Sequence, residues 1–229
     1  MKFKPLQKWL GLSLSLFLTL GLSACSPSPA AQQPGNGSPV QSGETTPPAS
    51  AATRTTYPLE INNFDGEGNP FTQVFAKAPE RVVATTQASI EILLKLGLGD
   101  KIVGVANIIS DFPEDIRAEG QALPVIADQW PPMELVLGAS PDLVMGRAMD
   151  FHEREYGLGT VQAYNDIKIN SYIWASSSLT GSPTMEDIIR DIRTIGQIFD
   201  VQDRANAYAD ELQGKLDKII TTRPTGGLL

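Results

Sequence analysis

Cysteine and histidine are almost missing from this sequence: Cys25 and His152 are the sole examples in 229 residues. A lone thiol excludes an internal disulfide and a thiolate metal cluster. A lone imidazole excludes a multi-histidine zinc or manganese site. Basic charge is also scarce, with 18 Lys plus Arg against 26 Asp plus Glu and a formal net charge of −8. Three of those bases (Lys2, Lys4, Lys8) precede Cys25, where no acid stands, so the rest of the chain carries about −11. Such a surface repels nucleic acid, and no nucleic-acid partner is expected. Long apolar runs are absent too. Trp9 to Leu22 is too short, and too broken by Ser and Gly, for a bilayer-spanning helix. A catalytic set is missing as well. Acid pairs such as Asp111 and Glu114 occur, but a hydrolase would need His152 in a cleft with a serine and an acid beside it, so no enzyme is expected. Gly97-Leu98-Gly99 begins like a dinucleotide fingerprint, yet its third glycine is out of register and it leads into a strand; it reads as a turn.

What is present begins with a secretory pattern: lysines, an apolar centre, then small residues before Cys25. The tetrad Leu22-Ser23-Ala24-Cys25 resembles the bacterial lipobox. That resemblance implies a diacylglycerol on the Cys25 thiol, which becomes the first residue of the mature protein. Two acyl chains suffice for stable anchoring. An ordinary signal peptide with a chance cysteine is the alternative. Residues 1–25 are thus expected to be a signal, and the protein to sit lipid-anchored outside the cytoplasm. Residues 26–56 are Ser, Pro, Ala, Gln, Gly and Thr with almost no large apolar side chain. Such a segment cannot offset its ordering entropy and is expected to be a disordered tether.

From residue 57 the pattern is α/β. Tyr57 to Phe64 and Phe71 to Ala76 read as an edge hairpin around a turn at Asp65 to Pro70. Short β-branched runs follow at Arg81 to Thr85, Lys101 to Ala106, Leu123 to Ile126, Asp142 to Met145 and Asn170 to Trp174. Helical spacing falls between them at Ala88 to Leu96, Pro113 to Glu119, Pro132 to Leu137 and Gly159 to Asp166. Strands alternating with helices predict a mostly parallel sheet covered on both faces, a three-layer lobe. Ser182 is read as a cap, with Pro183 at the first position of a helix whose stripe is Met185, Ile188, Ile189, Ile192, Ile195 and Phe199. A long helix over Gln202 to Ile220 presents Ala205, Ala209, Leu212, Leu216 and Ile219.

Several stretches carry a family resemblance in order: Pro79-Glu80-Arg81-Val82-Val83, Ile90-Glu91-Ile92-Leu93, Leu96 to Val105, Asp111-Phe112-Pro113, Met133-Glu134-Leu135, Ser140 to Val144 and Ile195-Gly196. Together they resemble the type III substrate-binding lipoproteins of ABC importers for ferric siderophores, haem and cobalamin. The resemblance implies two α/β lobes joined by one long helix, with ligand held between. It implies an amino-terminal lobe at 57–200 and an inter-lobe helix with a truncated tail at 201–229, the second lobe being absent. It also implies an ABC permease with its ATPase as partners, a metal chelate as cargo, no cofactor, and a monomer.

Ligands of open parallel sheets sit beyond the carboxyl ends of the strands. Candidate ligand residues there are Gln87, Asn107, Trp130, Arg147 and Ser176. Arg147 can meet an anionic chelate, or pair with Asp150 or Glu153. Trp130 can stack on a flat ligand, or pack under Pro131-Pro132. Glu134 matches the family's permease-docking glutamate, and a charge at a helix start is favourable in any case. Glu91 is read as structural, and His152 as solvated rather than as a metal ligand. The resulting expectation is a solute-binding lipoprotein that captures an iron–siderophore, haem or corrin complex. The alternative is a tethered docking module without cargo.

Overall fold

The computed structural model describes residues 54–154, 157–177 and 182–222. β1 (Leu59–Phe64) and β2 (Pro70–Phe75) form an antiparallel hairpin in register Leu59 with Phe75 and Phe64 with Pro70. Asp65 closes its turn: Oδ1 accepts the amides of Glu67 at 2.9 Å and Asn69 at 2.8 Å, and Gly68 takes φ 85°.

The main sheet is built from β3 (Val82–Ala84), β4 (Ile102–Ala106), β5 (Val125–Ala127), β6 (Leu143–Gly146) and β7 (Asn170–Ile173), all parallel, in the order β5-β4-β3-β6-β7. Helices α1 (Gln87–Lys95), α2 (Arg117–Gln121), α3 (Met133–Gly138), α4 (Val161–Asp166), α5 (Met185–Ile198) and α6 (Gln202–Thr222) complete the lobe. The expected α/β class and mostly parallel sheet are what the chain folds into.

Alternate residues feed the two sides of the sheet. Val82, Ala84, Leu143, Met145 and Tyr172 enter one core with Ile90, Leu93, Ile192 and Ile195 from α1 and α5. Val83, Val144 and Ile173 enter the other with Val136, Val161 and Tyr164 from α3 and α4. β3 and β6 are buried on both faces, which is why they read as unbroken apolar runs. Ile192 and Ile195 are fully buried, and each contributes roughly 2 kcal/mol of transfer free energy.

Local signals set the boundaries. Thr86 caps α1 by accepting the Ser89 amide at 3.2 Å. Gly97, at φ 63°, ends it with paired bonds from Gly97 N to Leu94 O and Leu98 N to Leu93 O. The cap of α5 is Thr184, not Ser182, and Pro183 lies before the helix: Thr184 and Asp187 form a reciprocal capping box. The helix expected from Pro113 starts at Arg117 instead, because Ile116 N first closes a turn onto Pro113 O at 3.1 Å.

The hairpin does not pair with the edge strand β7 by backbone ladder. It docks there through side-chain amides of Asn63 and Gln73. Arg54 and Thr55, inside the stretch expected to be a tether, are fixed to the α5–α6 elbow. Thr55 N donates to Asp200 Oδ1 at 2.7 Å, and its hydroxyl to Gln197 O at 2.6 Å. α6 keeps only part of its expected apolar face. Ala205 and Ala209 are buried, but Ile219 is 66% exposed. With 21 residues it runs about 32 Å against about 21 Å for the 14-residue α5, so its last turns outrun their cover.

Candidate ligand site

Because all five strands run parallel, their carboxyl ends share one edge. The chain travels from β3 through β4 to β5 on one side, then from β6 to β7 on the other, so the crevice opens between β3 and β6. Thr86 follows β3 and Arg147 follows β6. They flank a cavity of about 220 Å³ whose lining includes Ile92, Trp174, Ser176 and Ile188.

The walls are held by hydrogen bonds. Trp174 Nε1 donates to Ser89 Oγ at 2.6 Å, and Ser89 Oγ lies 2.6 Å from Thr86 Oγ1. Ala148 N donates to Ser177 Oγ at 3.2 Å, which joins the loops after β6 and β7. Behind them Asp191, 1% exposed, accepts from Tyr172 Oη at 2.7 Å, Ala175 N at 3.0 Å and Ser176 N at 3.1 Å. Burial pushes the Asp191 carboxyl above the usual carboxylate range, and the three donors offset this only partly. Burial, with the Asp191 charge second, pushes the Tyr172 phenol well up.

Of the two readings of Arg147, pairing with Asp150 is seen. Nε donates to Oδ2 at 3.1 Å and Nη2 to Oδ1 at 2.9 Å, and Asp150 is 3% exposed. The same guanidinium lies 5.7 Å from the ring centroid of Trp130, which is 36% exposed. Arg147 and Ser176 line the cavity, and Trp130 joins them through Arg147. Gln87 and Asn107 stand at the same edge without lining it. Gln87 donates to Glu91 Oε1 at 2.7 Å and accepts the Ile109 amide at 3.2 Å, tying α1 to the loop after β4. Asn107 takes φ 54° at the end of β4, a left-handed position that asparagine tolerates. Glu134 is exposed in the first turn of α3, beside Leu135 at 49% exposure. His152 is half-buried rather than solvated, with Nδ1 buried and unpartnered among the described residues. Cys25 lies outside the described residues.

Sequence reasoning missed Trp174 and Asp191. Asp191 had a readable signal: a carboxylate between Ile189 and Ile192 lies on the buried stripe of its helix. Among the described residues no group of histidine, cysteine and acids is placed to hold a metal, and no helix is long and apolar enough to cross a membrane.

Comparison with known families gives one match to a family profile, described as periplasmic binding protein, over residues 82–225. The chain belongs to the periplasmic binding protein family. The family is one of binding proteins rather than enzymes and implies a place outside the cytoplasm. Among solved structures it is similar to a periplasmic binding protein from Veillonella parvula, at 28% identity and a TM-score of 0.67, over 76% of this chain and 55% of that one. It is also similar to a structure described as an ABC-type Fe3+-hydroxamate transport system from Saccharomonospora viridis, at 22% identity and TM-score 0.59, over 71% of this chain and 56% of that one. A vitamin B12 binding protein of Vibrio cholerae matches at 20% identity and TM-score 0.50, over 64% of this chain and 52% of that one. The last two establish the fold alone. The chain spans about half the length of these structures. No curated protein matches it.

Proposed function

We propose that this periplasmic binding protein is the solute receptor of an ABC importer, lipid-anchored through Cys25, and that it captures an iron–siderophore, haem or corrin complex for delivery to a membrane permease and its ATPase. The observation that carries the reading is the cavity at the β3/β6 crevice, framed by Thr86, Arg147 and Ser176 at the carboxyl ends of a parallel sheet. Gln87, Asn107, Trp130, Arg147 and Ser176 form the ligand side in this reading, and Glu134 the permease side. Recognition needs shape, stacking and a few polar contacts, with the metal held by its chelator. Titration of the purified protein with ferric siderophores, haem and cobalamin, followed by tryptophan fluorescence, tests it. Trp174 in the cavity wall and Trp130 at its mouth are the reporters. Saturable quenching at micromolar or lower concentration supports capture; a flat response to all of them overturns it.

A second reading is a tethered docking module that binds the permease without cargo. The adjacent exposed Glu134 and Leu135 on α3 favour it. Pull-down of the permease that is lost on Glu134→Ala, together with a flat solute titration, selects this reading.

A further inference from the structure

We infer that the solute taken at this mouth is an uncharged or cationic chelate presenting an apolar face, and not a polyanion; the inference rests on the capture reading above. Three features of the sheet edge carry it. The first is the scarcity of cations next to the strand ends. In the first four residues after each strand stand one base, Arg147, and two acids, Asp128 and Asp150. The Arg147 charge is already answered through two of its nitrogens by Asp150, which is almost wholly buried. A carboxylate or catecholate that took the guanidinium would leave the buried Asp150 carboxylate with the Arg147 backbone amide but no countercharge, which is unfavourable.

The second feature is the sign of the remaining charge. Asp128 is exposed two residues from Trp130, on a chain of formal charge −8. The field at the mouth therefore repels polyanions and tolerates neutral or cationic solutes. The third is what the mouth offers instead. Three loops at this edge expose large apolar side chains: Ile109 at 77%, Met149 at 59% and Trp130 at 36%. Trp130 is held as a platform by the guanidinium beneath it, 5.7 Å from the ring centroid. Apolar side chains exposed at the sheet edge that also holds the cavity favour a ligand with an apolar face.

The test is isothermal titration of the full chain with three chelates at low and at high sodium chloride. The probes are cyanocobalamin, a neutral corrinoid; ferrioxamine B, a cationic trihydroxamate; and ferric enterobactin, a trianionic tricatecholate. At least one of the first two is expected to bind tenfold or more tighter than the tricatecholate, with affinity that changes less than twofold with salt. Trp130→Ala is expected to weaken that binding about fivefold while the thermal melt stays put, because the side chain is partly exposed. A tricatecholate that binds tightest and weakens steeply with salt overturns the inference and leaves capture standing. Binding to none of the three overturns the inference, and capture falls with it when the haem titration is flat as well. Unchanged affinity in Trp130→Ala removes the platform and with it the apolar-face assignment.

Discussion

The side-chain amide of Asn63 stands in for a missing neighbouring strand at Ile173. Its Oδ1 accepts the Ile173 amide at 3.2 Å and its Nδ2 donates to the Ile173 carbonyl at 3.1 Å. Gln73 extends the pattern by accepting the Ser171 amide at 3.2 Å and donating to Asn165 at 3.0 Å. The hairpin thus seals the β7 edge with side chains and satisfies groups that an open edge leaves bare. Asn63 is 6% exposed. Asn63→Leu is expected to strand two buried backbone groups and cost about 2–4 kcal/mol. Urea unfolding measures this; a loss below about 0.5 kcal/mol means water replaces the amide.

Arg147 and Asp150 make a second prediction. Arg147→Met keeps the apolar stem but leaves the Asp150 carboxylate buried without its ion pair. The expected loss is about 2 kcal/mol, below the figure for a fully buried pair because the Arg147 side chain is 34% exposed. Asp150→Asn in the same chain is expected to recover part of it. The double-mutant cycle in thermal or urea unfolding reads the coupling.

Gly196 of α5 meets α6 at Ala205. A methyl at Gly196 would lie 2.4 Å from the Ala205 Cβ, too close for two carbons. Gly196→Ala gains about 1 kcal/mol of helix propensity but forces the helices apart, so a net loss of about 1–2 kcal/mol is expected. Ala205→Gly should relieve the clash, and the pair should be less destabilised than the two single changes summed. Additive losses would mean that the helices reseat freely.

The main sheet was legible because its central strands are short β-branched runs buried on both faces, as at Val82–Ala84 and Leu143–Gly146. Loop positions at their ends were legible by the same logic, and Arg147 and Ser176, chosen on it, line the cavity. The α5 cap was less so, since Ser182 and Thr184 are both good cap residues and only the reach of Asp187 chooses between them. Trp174 was out of reach, because a tryptophan ending a strand carries no sign of the serine that its indole will find. Nor does a sequence say that Asn63 meets Ile173, 110 residues away, since a buried asparagine looks like a turn former until its partner strand is placed.

The pH dependence of stability follows from Asp191. Its folded carboxyl holds a proton more tightly than the unfolded chain does, chiefly because burial penalises the charge. The folded state therefore binds more protons in the window between the ordinary aspartate range and the raised value. Stability from this group is fully present below that window and declines as pH rises through it. Asp191→Asn removes the titration but also one acceptor for the amides of Ala175 and Ser176. The stability advantage of the natural chain over Asp191→Asn is thus expected to be largest in acid and to shrink as pH rises through the window, then to level off. Urea midpoints of both proteins across a pH series measure it. An advantage that grows with pH would show that the three donors outweigh burial and that the carboxyl is held below its ordinary range.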